Sequence, residues 1–154
     1  MESRFELLSE DLRRIVSELG FERETPVQTE AIPAILSGEN VLIISPTGSG
    51  KTEAALLPVF EKIKLDGAIK GTKAIYVTPL RALNRDMLKR IEQWAKYLGL
   101  SVEIRHGDTS QKDRRKQALF PPDILITTPE TLQVILIGSR FRANLFNLKY
   151  VIID

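Results

Sequence analysis

The stretch that most constrains this chain is Ser45-Pro46-Thr47-Gly48-Ser49-Gly50-Lys51-Thr52. Val41-Leu42-Ile43-Ile44 before it is a short apolar run that reads as a buried strand, and Glu53-Ala54-Ala55-Leu56-Leu57 after it reads as a helix. Strand, glycine-rich turn, Lys-Thr, helix is the setting of a phosphate-binding loop. Gly48 and Gly50 permit backbone torsions that a side chain would block. The loop amides and the helix N-terminus can then face anionic oxygens. Lys51 can reach β- and γ-phosphates, and the Thr52 hydroxyl suits Mg²⁺. The strict pattern has glycine at the first loop position, where this chain has Ser45. The competing reading, a flexible Gly-Ser turn beside a lysine, leaves the flanking strand and helix unexplained.

A chain of 154 residues can bury the core of one domain. The formal net charge of +2 permits a nucleic-acid partner without arguing for one. Cysteine is absent and His106 is the only histidine, which removes disulfides, thiolate zinc sites and histidine metal clusters. The first residues do not form a signal peptide and no apolar run is long enough to span a membrane, so no membrane association is expected and the cytoplasm is the default. No repeat or Pro/Gly/Ser linker divides the chain.

Apolar residues at Leu8, Leu12, Ile15, Val16 and Leu19 are spaced as on a helix, with Ser9 as a cap and Gly20 as a stop. A second helix opens at Thr25-Pro26 and runs towards Gly38, with a kink expected at Pro33. The helix after the phosphate loop reaches about Leu65, with Pro58 as an interruption. Further strands are expected at Ala74–Val77, Val102–Arg105, Asp123–Ile126 and Tyr150–Asp154. Helices are expected from Thr78-Pro79 to Leu98, from Ser110 to Leu119 and from Thr128-Pro129 through Ile135. Strands that alternate with helices and are apolar throughout indicate an α/β fold with a parallel sheet covered by helices on both faces. Ligands in such a sheet sit beyond the carboxyl ends of the strands, where the informative residues fall.

Several of these residues carry two readings. Thr caps and Pro at the first helical position are ordinary helix starts. The starts at Thr78-Pro79 and Thr128-Pro129 also lie on the ligand edge, where amides could hold nucleic-acid phosphates. Gln28, three residues after Thr25, completes a capping box by itself, yet its amide could equally read an adenine edge. Lys112-Asp113-Arg114-Arg115-Lys116 reads as a solvated helix face. Arg81 and Arg85 could contact phosphates or simply be solvated. Asp154 would be a Mg²⁺-binding carboxylate if its strand lay near the phosphate loop.

Taken together, the chain resembles the first RecA-like domain of superfamily 2 helicases, closest to the large-helicase-related type, with DEAD-box proteins as more distant kin. Phe21 and Thr25-Pro26-Val27-Gln28 look like the adenine-recognising Q motif. Ser45 to Thr52 is similar to motif I, where small non-glycine residues such as Ser45 are usual. Thr78-Pro79-Leu80-Arg81-Ala82-Leu83-Asn84 looks like motif Ia. His106-Gly107-Asp108-Thr109 resembles the next nucleic-acid loop, and Thr127-Thr128-Pro129-Glu130 resembles motif Ib, with Glu130 where DEAD-box proteins usually have Gly-Arg. Val151-Ile152-Ile153-Asp154 looks like the start of motif II.

The resemblance implies a RecA-like P-loop NTPase domain, incomplete over residues 1–154 and truncated after the motif II strand. It implies ATP held by Phe21, Thr25, Gln28 and Pro46, Thr47, Gly48, Ser49, Gly50, Lys51 and Thr52. Lys51, Thr52 and Asp154 are the implied catalytic residues, with Mg²⁺ on Thr52 and Asp154. Nucleic acid, with DNA favoured over RNA, would cross Pro79, Arg81, Asn84, Gly107, Asp108, Thr128, Pro129 and Glu130. A glutamate after Asp154, a motif III strand between the phosphate-loop strand and the motif II strand, and a second RecA-like domain belong to the family pattern. The expectation is the ATP-binding part of an ATP-dependent helicase or translocase, without turnover of its own. The alternative is a P-loop phosphotransferase or another non-helicase P-loop NTPase; the lid and Arg-rich loop of a phosphotransferase have no clear candidate here.

Overall fold

The computed structural model describes residues 3–82 and 85–154. They divide into two compact units, one ending at Leu65 and one beginning at Asp66.

The first unit is helical. After a 3-10 turn at Arg4–Leu7, α1 spans Glu10–Glu18, α2 Pro26–Leu36 and α3 Lys51–Asp66, whose last residue belongs to the second unit. The apolar stripe of α1 buries Leu12, Ile15 and Val16. Ion pairing of Lys64 with Asp11 joins α3 to α1, and so does the bond from the Ser9 N–H to Glu61 (3.0 Å). Lys62 closes the C-terminal end of α2 by donating to the Leu36 carbonyl at 3.0 Å. Both internal prolines are accommodated: α2 continues past Pro33 and α3 past Pro58.

Residues 41–44 do not form the expected strand. An extended segment becomes a strand only when a neighbour supplies its hydrogen bonds, and among the described residues no ladder includes this segment. Leu42 and Ile44 are 84% and 86% exposed, so the run is not buried either.

The second unit is built on a parallel sheet of four strands: β1 Ala74–Val77, β2 Val102–Arg105, β3 Ile124–Thr127 and β4 Tyr150–Ile153. Their order is β2-β3-β1-β4, in register Val102↔Ile124, Ala74↔Ile124 and Ala74↔Tyr150. Helix α4 (Arg85–Tyr97) connects β1 to β2, α5 (Gln111–Leu119) connects β2 to β3, and α6 (Pro129–Ile137) and α7 (Ser139–Arg142) follow β3. Central β1 and β3 are buried along their whole length. Ile75, Val77 and Leu125 pack on one face with Ile135 of α6 and Phe141 of α7. On the other face, Ile104 of β2 lines a cavity with Arg85, Leu88, Lys89 and Glu92 of α4. The sheet thus carries helices on both faces, but incompletely. Val151 and Ile153 of edge strand β4 are 55% and 81% exposed, contrary to a fully covered sheet.

The helix expected from Thr78-Pro79 begins later, at Arg85. The Thr78 N–H still follows the sheet, donating to the Thr127 carbonyl at 3.0 Å, and the chain then turns through a 3-10 segment at Leu80–Ala82. Asn84, a sequence-predicted site residue, lies outside the described residues.

Candidate functional site

In the first unit the phosphate loop is shaped by two glycines, Gly48 at φ +79° and Gly50 at φ +85°. Helix α3 starts immediately after, at Lys51, with the Ala54 N–H closing its first turn on the Gly50 carbonyl (2.9 Å). The hydroxyls of Ser45 and Ser49 are 2.6 Å apart and join the two ends of the loop. Ser45 thus ties the loop by its side chain, which glycine could not do. The Lys51 amine donates to the carbonyls of Ser45 (2.6 Å) and Pro46 (2.8 Å), folding back over the loop. Pro46, Thr47 and Gly48 are exposed along its outer side.

The capping box at Thr25 is present in full: the Gln28 N–H bonds to Thr25 Oγ1 (3.4 Å) and the Thr25 N–H to Gln28 Oε1 (3.1 Å). Gln28 is fully buried, and its Nε2 donates to the Gly50 carbonyl at 3.4 Å. The amide therefore braces the phosphate loop against α2. A Cβ on Gly50 would fall 2.5 Å from Gln28 Nε2, whereas one on Gly48 would meet nothing within 4 Å. Phe21 is half-buried at the end of α1, its N–H on the Val16 carbonyl (3.3 Å).

In the second unit, three loops leave the carboxyl ends of β1, β3 and β2. The first carries Pro79 and exposed Arg81. In the second, Thr128 caps α6 by accepting from the Thr131 N–H (3.3 Å), with exposed Pro129 and Glu130 in the first turn. In the third, exposed Gly107 and Asp108 form a tight turn: the His106 N–H reaches Thr109 Oγ1 (2.9 Å) and the Asp108 N–H reaches His106 Nδ1 (3.2 Å).

That turn depends on a residue the sequence reading set aside. Arg114 does not belong to a solvated face; its guanidinium donates to the carbonyls of Thr109 (2.9 Å) and Gly107 (2.7 Å) and holds the loop closed. The signal was available, because Arg114, buried Gln117 and half-buried Ala118 recur at helical spacing and mark the inner stripe of α5. Arg105, at the end of β2, stacks over the Phe141 ring with its guanidinium carbon 5.2 Å from the centroid. Its Nε and Nη1 are buried without a partner, and burial, followed by the charge of Arg114, lowers its pKa.

Asp154 follows β4, with its N–H on the Val77 carbonyl (2.9 Å) and its Oδ2 accepting from the Tyr76 hydroxyl (2.7 Å). Sequence reasoning missed Tyr76. The structure brings the nucleotide-loop residues together in one unit and the three strand-end loops and Asp154 together in the other.

The family model for DEAD/DEAH box helicases matches residues 25–154. The ATP-dependent helicase Lhr-Core of Sulfolobus acidocaldarius is 43% identical over 143 residues, which cover 84% of this chain and 16% of that protein. Among solved structures, the Mycobacterium smegmatis helicase Lhr bound to ssDNA and AMP-PNP superposes over 99% of this chain and 21% of its own, with TM-score 0.86 and 33% identity. The DUF1998 helicase MrfA bound to DNA and AMPPNP gives TM-score 0.83 at 27% identity, over 99% of this chain and 22% of its own. The chain thus spans about a sixth of that curated relative's length. The family model covers most of the chain, and the chain belongs to the DEAD/DEAH box helicase family.

Proposed function

We propose that this chain is the ATP-binding part of an ATP-dependent helicase or translocase that works on DNA. The observation that carries the reading is the phosphate loop, with two glycines at positive φ, a helix N-terminus and Lys51 at its mouth. The loop suits a nucleotide: its outer side at Gly48 is open, and amides at the start of α3 favour anionic oxygens. Lys51 would leave the Ser45 and Pro46 carbonyls for the β- and γ-phosphates. The Thr52 hydroxyl and Asp154 carboxylate are hard oxygen donors of the kind Mg²⁺ takes. Bound Mg²⁺ would neutralise charge on the transferring phosphoryl group. Gln28, and with it Thr25 and Phe21, is assigned to the adenine side, where its amide would leave the Gly50 carbonyl to meet the base.

Nucleic acid is assigned to the strand-end loops through Pro79, Arg81, Gly107, Asp108, Thr128, Pro129 and Glu130. Backbone contact is favoured over base stacking, because these loops offer amides and a guanidinium rather than aromatics. Structural neighbours bound to ssDNA and to DNA support DNA as the strand. The test is ATP hydrolysis by the full-length protein with single-stranded DNA, with RNA and with neither. Stimulation by DNA above RNA supports the proposal; equal rates in all three conditions would sink it.

A further inference from the structure

Tyr76 is a buried residue that the chemistry above leaves without a role. It is third in β1, 1% exposed, and opposite Ile152 of β4. Side chains alternate along a strand, so residue 154, two places past Ile152, points to the same face as Tyr76. The phenol spans that step, and its Oη donates to Asp154 Oδ2 at 2.7 Å. The main chain is fixed as well, with the Asp154 N–H on the Val77 carbonyl at 2.9 Å. One strand thus holds both the backbone and the carboxylate of Asp154.

We propose that Tyr76 is a positioning residue for the Mg²⁺-binding carboxylate. The inference rests on the assignment of Asp154 to Mg²⁺ made above. A carboxylate on one rotatable side chain samples many orientations, and a ligand must hold one. Hydrogen bonds from neighbouring groups supply that restraint, and their loss costs about 10- to 100-fold in metal affinity at known sites. Aspartate at this position could be anchored by its backbone alone; the hydroxyl adds control of its rotation. A purely structural phenol would need a partner only because its hydroxyl is buried, and the two roles separate on Mg²⁺ dependence.

The test is a Mg²⁺ titration of fluorescent ADP-analogue binding to the full-length protein, with thermal unfolding followed in parallel. Tyr76→Phe removes one oxygen and keeps the ring. Asp154 itself is exposed, so water can replace the lost donor and the variant should fold. The expected result is an increase of about tenfold in the Mg²⁺ midpoint. Asp154→Asn should also raise it, and adding Tyr76→Phe to Asp154→Asn should change nothing further. If Asp154→Asn shifts the midpoint while Tyr76→Phe only lowers the melting temperature, Tyr76 has no positioning role and the Asp154 assignment stands. An effect of Tyr76→Phe that adds in full to that of Asp154→Asn also overturns the proposal. If Asp154→Asn leaves the midpoint unmoved, the assignment of Asp154 fails and the proposal with it.

Discussion

Replacing Gly50 by alanine puts a methyl group where the Gln28 amide now sits. The added Cβ would lie 2.5 Å from Gln28 Nε2 and 3.4 Å from Thr25 Oγ1. Gly48 provides the control, because its φ of +79° is close to the +85° of Gly50 while the space around it is open. Either alanine incurs the left-handed backbone cost of about 1–2 kcal/mol. Only Gly50→Ala must also displace the Gln28 amide. Displacement breaks its bond to the Gly50 carbonyl and its half of the capping box, at about 0.5–1.5 kcal/mol each. For a chain of this size 1 kcal/mol moves the melting temperature by about 2–4 °C. Gly50→Ala should therefore melt on the order of 5 °C below Gly48→Ala. In a Gln28→Ala background the obstacle is gone, and Gly50→Ala should cost no more than Gly48→Ala. Thermal unfolding of the four variants decides the matter. Equal melting of the two glycine variants, or an undiminished Gly50→Ala effect without Gln28, would refute the idea that Gln28 braces the loop.

Gln28→Ala alone should lower stability by about 1–2 kcal/mol through the lost cap and brace, and should blunt the preference of the full-length protein for ATP over GTP. An unchanged preference confines Gln28 to bracing. Asp123 offers a pH test. Burial pushes its carboxyl up, but hydrogen bonds from Lys73 (2.6 Å) and from the Ser101 N–H and hydroxyl (both 2.8 Å) outweigh this and hold its pKa below the usual carboxylate range. A depressed folded pKa means stability that is present above the unfolded value and is lost as pH falls through the folded one. Between about pH 5 and pH 2 the wild type should lose more stability than Asp123→Asn, and parallel urea-midpoint curves would argue against it. Exposed Val151 and Ile153 on edge strand β4 should promote association of this chain. Sedimentation should show it growing with concentration and falling in Val151→Lys; a monomer at all concentrations would contradict this.

The parts legible in the sequence are those determined over a few residues. Glycine torsions shape the phosphate loop, and the caps at Thr25, Ser110 and Thr128 form within their own first turns. Strands β1 and β3 read correctly because the centre of a parallel sheet needs continuous apolar runs. Val41–Ile44 has the same composition, but strand formation depends on a partner that lies elsewhere in the chain. Thr78-Pro79 carries a sound helix-start signal, yet the Thr78 N–H is already committed to the Thr127 carbonyl. Tyr76 escaped because its role lies in what it touches, a carboxylate 78 residues away, and that contact has no local pattern. Arg114 is different: its place on the inner stripe of α5 is legible, but the charge run around it reads as a solvated face.

Lys51→Ala in the full-length protein tests the proposal that the Ser45–Thr52 loop drives nucleic-acid-coupled ATP hydrolysis. Steady-state ATP hydrolysis with single-stranded DNA should fall to background, because the variant loses the charge on the β- and γ-phosphates, while its melting temperature should stay close to wild type. A rate within a few-fold of wild type in a folded Lys51→Ala variant would contradict the account.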